Sequence, residues 1–210
     1  ANINDDGFSL DCLNAVRGIP SSYLQYYYCR DAKLKHQKED EKCRARVCME
    51  IEEELLEMYS DETLVTKPDL LDQRGGHKYS LAAVSLIDSI ANDKRDVQIV
   101  NIKNNGTVDF MDDDDILEIA AVIGKDGAEP VAIDKIENKH IIGLMRVVKA
   151  YEKYTVEAAT TGSEAAAINA LLVHPLVGDW ERAHKCFEEM KWAHKAYLPE
   201  FFPNDVVIKC

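Results

Sequence analysis

A chain of 210 residues with 46% apolar residues, 30% charged residues and a formal net charge of -13 is long enough for one large domain or two small ones. The acidity argues against a nucleic-acid groove, which needs clustered Lys and Arg, and names no substrate of its own. No apolar run reaches membrane-spanning length and no signal-peptide pattern opens the chain, so a soluble, non-membrane protein is expected. The six cysteines (Cys12, Cys29, Cys43, Cys48, Cys186 and Cys210) are scattered without CxxC pairs and read as reduced thiols. A zinc site on Cys43 and Cys48 would lack a second ligand pair.

In chain order, residues 1–9 are polar and expected to fray. Leu10 to Val16 reads as a short helix ended by Gly18, and Pro20 suits the first turn of the next. That next helix, residues 21–29, carries Tyr23, Tyr26, Tyr27 and Tyr28, which cannot share one face; some must reach beyond a single core. Residues 31–42 are a solvated stretch or a helix start. Residues 43–59 are helical, because Val47, Ile51, Leu55 and Met58 recur at spacings of four, four and three. Glu50, Glu52, Glu53, Glu54 and Glu57 between them form the wet side, from which two carboxylates could face a neighbouring domain's arginines. Residues 61–73 are a connector in which Pro68 forces Lys67 out of helical geometry.

Residues 80–92 make an apolar helix and residues 97–103 a strand. Asn104-Asn105-Gly106 predicts a type I′ hairpin turn with a partner strand after it, broken at Asp112 to Asp115. Those four aspartates lack the alternation of a calcium loop and read as an ordinary loop. Residues 116–123 and 128–133 are two more strands around Gly124 to Gly127. Ile141, Leu144, Met145, Val148, Tyr151 and Thr155 share one long helix face, which Gly162 ends. Ser163 caps the next helix, Pro175 stops it, and Asp179 caps the last, where Ala183, Phe187, Met190, His194 and Tyr197 share a face. The tail Phe201-Phe202-Pro203 is apolar enough to dock. Helices around a small antiparallel sheet predict an α+β fold, mostly helical.

The stretch most suggestive of chemistry is Arg74-Gly75-Gly76-His77-Lys78-Tyr79-Ser80. Adjacent glycines free the backbone, and a guanidinium beside them can meet an anion. Ser80 is a candidate N-cap, which places Tyr79 where a loop enters a helix and where the helix dipole favours a phenolate. The alternative is a tight loop whose tyrosine packs against the core.

This segment resembles the catalytic-tyrosine loop, RGG-x-x-YS, of the family 4 glycoside hydrolases, in particular their 6-phospho-β-glucosidases. Further resemblances run in the family's order. They are Gly18-Ile19-Pro20-Ser21-Ser22-Tyr23-Leu24-Gln25-Tyr26-Tyr27-Tyr28, the run from Met49 to Leu56, Lys67-Pro68-Asp69-Leu70-Leu71, Val100 to Gly106, and Ala170 to Leu176. Together they match only the C-terminal half of such an enzyme. The Asp112 to Asp115 segment departs from the family, which usually has a proline there.

The resemblance implies the C-terminal substrate and catalytic domain of an enzyme built like lactate and malate dehydrogenases, with the N-terminal NAD-binding Rossmann domain absent from this chain. It implies that NAD⁺ takes hydride from C3 of a phosphorylated β-glucoside or disaccharide. Tyr79 then removes the C2 proton, the C1 leaving group is eliminated, water adds and hydride returns. A divalent metal, Mn²⁺, stabilises the charge on the C2 and C3 oxygens. Arg74 is implied as a contact to the sugar phosphate or as a fixer of the loop, with Gly75 and Gly76 as conformational supports of the substrate site. His77 is a site-edge or solvent residue, and His174 a structural histidine at a helix end. Cys12 and His36 sit outside the family's metal motifs. No glycine-rich dinucleotide turn follows a strand, so the chain alone is expected to bind neither NAD nor metal and to be inactive. The parent is expected to be cytoplasmic and homo-oligomeric. The alternatives are a 6-phospho-α-glucosidase or related α-specific member, and a non-catalytic helical interaction or oligomerisation module.

Overall fold

A computed structural model describes residues 7–75 and 78–203. Gly76, His77, Cys210 and most of the polar start therefore lie outside the described residues. The chain divides into two compact units, one of Ala1–Arg30 with Lys135–Cys210 and one of Asp31–Asp134. Helices with a three-stranded antiparallel sheet make it α+β, as the sequence predicts.

The first unit is helical. α1 (Leu10–Val16) starts on Ser9, whose Oγ accepts the Cys12 N–H. It ends at Val16 as the sequence predicts, but the residue that turns the chain is Arg17, in the left-handed conformation at φ 54°, and not Gly18. The tyrosine-rich segment is not one helix: a 3-10 turn (Ser22–Leu24) precedes the single-turn α2 (Gln25–Tyr28). The Leu24 N–H bonds the Ser21 carbonyl at 2.9 Å, the three-residue spacing of the narrower turn, and Ser21 Oγ accepts the Tyr23 N–H. The tyrosines then diverge. Tyr28 meets His140 Nε2 at 2.6 Å, Tyr27 faces His174, and Tyr23 is exposed.

Three helices follow: α7 (Lys139–Thr161), α8 (Glu164–Val173) and α9 (Trp180–Ala193). Their caps are those the sequence predicts for Ser163 and Asp179, whose side chains accept the N–H groups of Ala166 and Arg182. Asn138 caps α7 and also donates to the Val16 carbonyl at 2.8 Å, tying α1 to the start of α7. Ala158, Ala166, Ala170 and Ala183 are buried. The apolar tail docks within its own unit: Phe201 lies 5.8 Å from Phe187 and Phe202 5.2 Å from Trp192. On α9, Ala183 and Phe187 are buried as expected, but Met190 is exposed and Lys191 is buried instead; the helix ends at Ala193, so Tyr197 falls on the following 3-10 turn (Lys195–Tyr197), where it is exposed. The Lys191 ammonium sits over the Phe187 ring, 5.0 Å from its centroid, and between Glu164 and Glu188 at 2.9 and 3.1 Å.

The second unit combines helices and sheet. The charged stretch resolves as α3 (Arg30–Glu39), which begins at the unit boundary. α4 (Arg44–Tyr59) buries Ile51 and Leu55 and leaves its glutamates in water. α5 (Leu70–Arg74) interrupts the predicted connector, and α6 (Tyr79–Ala91) follows. Strands β1 (Asp96–Lys103), β2 (Ile116–Gly124) and β3 (Gly127–Pro130) lie in that order, all antiparallel. Leu117, Ile119, Ala121 and Ile123 form the buried face of β2. α6 packs on β2, and its buried Ser89 takes a 2.8 Å bond from Gln98 of β1.

The β1–β2 connection is not the predicted tight hairpin. Asn105 and Gly106 do adopt positive φ (42° and 80°), and Thr107 N–H closes the turn on the Asn104 carbonyl at 2.8 Å. No strand follows, and Lys103 pairs directly with Ile116. The fully buried Asn104 side chain organises the loop instead. It donates to the carbonyls of Val108, Met111 and Asp112 and accepts the Val108 N–H at 2.7 Å. β3 stops at Pro130, short of the predicted end, although Val131 still donates to Ala120.

Candidate functional site

The candidate loop hangs between α5 and α6. α4 fixes the end of α5 at two points. Near its start, Arg44 Nη2 donates to the carbonyls of Gln73 (2.7 Å) and Arg74 (3.3 Å), meeting acceptors that a helix end leaves open. Two turns further along, Glu52 Oε2 accepts from Nε and Nη2 of Arg74 at 3.3 and 3.1 Å. Gly75 then leaves the helix at φ +87°, a conformation glycine takes without steric cost. Gly76 and His77 lie outside the described residues.

α6 starts on Tyr79, one residue earlier than expected. Ser80 is therefore within the first turn and is not the cap. Lys78 occupies the cap position with no side-chain bond, and its carbonyl takes the Ala82 N–H at 3.1 Å. Tyr79 is at the helix start as predicted and 79% exposed, so the phenol is open rather than packed into the core. The side of α6 away from the sheet is apolar: Leu81, Val84 and Ile87 are 70%, 63% and 64% exposed.

Arg74 keeps about two-fifths of its side chain exposed while Glu52 holds two of its nitrogens. That pairing uses one carboxylate of the acidic run within the same unit. Sequence reasoning missed Arg44, and it offered the carboxylates of the Glu52 run to a neighbouring domain's arginines, not to Arg74 of the same unit. Their partners lie 29 and 22 residues away, and no local pattern marks them.

Among the described residues the cluster of metal-type donors is Asp112, Asp114 and Asp115, whose carboxylate oxygens lie within 4.8 Å of one another. Two of these are exposed, and Asp115 Oδ2 serves the turn by accepting the Asp112 N–H at 3.0 Å. The all-antiparallel sheet offers no parallel crossover at whose switch point a dinucleotide binds. Among the described residues no helix is long and apolar enough to cross a membrane.

His174 is structural, as the sequence suggests. It follows α8, its Nδ1 accepts the Leu176 N–H at 3.2 Å, and the Tyr151 ring meets it edge-on at 4.6 Å. Burial pushes its pKa below the ordinary histidine value.

Comparison with known proteins bears on this arrangement. Residues 1–177 match the model of the family 4 glycosyl hydrolase C-terminal domain. A probable 6-phospho-beta-glucosidase of Bacillus subtilis is 40% identical over 204 residues, covering 96% of this chain and 46% of that protein. The 6-phospho-beta-glucosidase BglT of Thermotoga maritima is 36% identical, covering 94% of this chain and 47% of its own length. A structure of the Thermotoga maritima 6-phospho-beta glucosidase with manganese, NAD+ and glucose-6-phosphate superposes with a TM-score of 0.83 at 36% identity, covering 92% of this chain and 46% of that one. A 6-phospho-alpha-glucosidase from gut microorganisms, with NAD and glucose-6-phosphate, gives 0.76 at 26% identity, covering 90% and 43%. The chain thus spans about half the length of the relatives it matches. With the family match running over most of its residues, it belongs to the family 4 glycosyl hydrolases and carries their C-terminal domain.

Proposed function

We propose that this chain is the substrate-side and catalytic domain of a 6-phospho-β-glucosidase whose NAD-binding N-terminal domain lies outside the 210 residues. The observation that carries this is an open phenol at the first residue of α6, behind a helix end held by Arg44 and Glu52. The relatives named as acting on phosphorylated β-glucosides are 34–40% identical to the chain, whereas those named for α-glucosides reach 29% or less. The β-specific reading is therefore preferred to the α-specific one.

The step assigned to this chain is one proton transfer. In a sugar carrying a carbonyl at C3, the C2–H bond is acidic. The Tyr79 oxygen takes that proton as a general base. The electron pair left on C2 forms the C1–C2 double bond as the C1–O bond breaks and the leaving group departs. Arg74 holds the loop and leaves part of its guanidinium for the sugar phosphate, while Gly75 and Gly76 let the backbone approach the substrate. NAD and Mn²⁺ belong to the intact enzyme, and the 210-residue chain by itself is inactive.

The test uses the intact parent with p-nitrophenyl β-glucoside 6-phosphate, NAD⁺ and Mn²⁺. Tyr79→Phe abolishes solvent deuterium exchange at C2; undiminished exchange refutes the assignment. Turnover by the 210-residue chain alone would refute the division of labour. The intact protein is proposed to be cytoplasmic and homo-oligomeric. The apolar outer side of α6 favours association more than the Phe201-Phe202 tail, which is docked. Light scattering of Ile87→Asp tests this.

A further inference from the structure

A cavity of about 300 Å³ lies between α7, α8, α9 and the 3-10 turn Pro199–Phe201. It exists because Ala158 and Ala170 stand where larger side chains would fill the space. Its walls include the aromatic rings of Tyr151, Phe187 and Phe201. The Phe187–Phe201 contact at 5.8 Å and the Tyr151–His174 contact at 4.6 Å hold these rings in place. The volume is about twice the ~150 Å³ that accommodates benzene in an engineered apolar cavity, and it falls at the lower end of ordinary ligand sites. One ring with a short tail suits it.

The charge at the wall decides what the tail carries. Lys191 is the one charged residue among those lining the cavity. Its ammonium is 5.0 Å from the Phe187 ring centroid and is already bound by Glu164 at 2.9 Å and Glu188 at 3.1 Å. One positive and two negative charges leave this cluster with one net negative charge. Both glutamates are also partly open to solvent. An anionic tail would compete with two carboxylates for a single lysine, whereas a cationic tail completes the pairing.

We propose that this cavity binds a small aromatic cation, with the aryl ring between Phe187, Phe201 and Tyr151 and an alkylammonium tail at the Glu164–Glu188 edge. Nothing in this site depends on the catalytic reading of Tyr79.

The experiment titrates the full chain with 2-phenylethylammonium and 3-phenylpropionate, which carry opposite charges on the same phenylethyl frame, and reads methyl NMR shifts. Saturable shifts are expected at Met190, Leu171 and Leu198, which line the cavity, and not at the exposed Leu81 and Val84. The ammonium should bind roughly tenfold more tightly than the carboxylate at low salt, with the gap narrowing as salt rises. Ala170→Phe fills the space and should abolish the shifts. Glu188→Gln, outside the cavity lining, should bring the two affinities towards equality, and it serves where the filling variant fails to fold. Absence of saturable shifts, equal affinity for the two ligands, or equal shifts at Leu81 and Val84 would overturn the proposal.

Discussion

Gly162 provides the sharpest test of the packing in the helical unit. It ends α7 at φ +68°, and a Cβ built there would lie 2.0 Å from the Glu200 carbonyl oxygen and 2.6 Å from its carbon. Gly162→Ala therefore meets two penalties. The left-handed conformation costs an alanine about 1–2 kcal/mol. The overlap is with backbone, so the Pro199–Phe201 turn must move and loosen Phe201 from Phe187. Full burial of a Phe contributes about 1.5–3 kcal/mol, and half-buried Phe201 stands to lose about 1 kcal/mol. The sum is about 2–3 kcal/mol. Two further variants separate the penalties. Gly178→Ala has a similar φ of +52° but no neighbour closer than 3.9 Å, so it should lose only the conformational part. Gly162→Asn relieves the φ penalty but keeps the Cβ, so it should still lose about 1 kcal/mol or more. Urea unfolding followed by the fluorescence of Trp180 and Trp192, both on α9, reads all three. If Gly162→Asn matches the wild type to within about 0.5 kcal/mol, the close crossing of Glu200 over α7 is wrong.

Asn104→Ala should destabilise the sheet unit by about 2–3 kcal/mol, because it strands the buried Val108 N–H and removes the donors to three carbonyls. Faster amide exchange at Val108 checks this, and unchanged exchange contradicts it. Arg44→Met should release the end of α5, raising amide exchange at Arg74 and Gly75 about fivefold, the equivalent of one hydrogen bond of about 1 kcal/mol. An unaltered rate there would remove the brace from the account. His174 has its pKa lowered by burial, so the unfolded chain binds the proton more readily. Its contribution is therefore complete above the ordinary value of about 6.5 and is lost as pH falls from there towards the folded-state pKa. Urea midpoints at pH 7.5 and pH 5.5 should differ more for the wild type than for His174→Gln, and equal differences would show that the histidine is not the titrating group.

The sequence by itself determined whatever is settled within a few residues. Ser163 and Asp179 cap their helices, Gly162 ends α7, and Tyr79 stands at a helix start, because each depends on bonds spanning three or four positions. The family, too, was legible in the order of its motifs. Tertiary structure decided how the side chains are used. It turned one glutamate of a wet helix face into the partner of Arg74, made Asn104 the centre of a loop in place of a hairpin, buried Lys191 between two carboxylates and left the Tyr79 phenol open. These outcomes come from residues brought together across the chain. Their energy lies in desolvation and pairing at the point of contact, which no spacing along a helix or strand encodes.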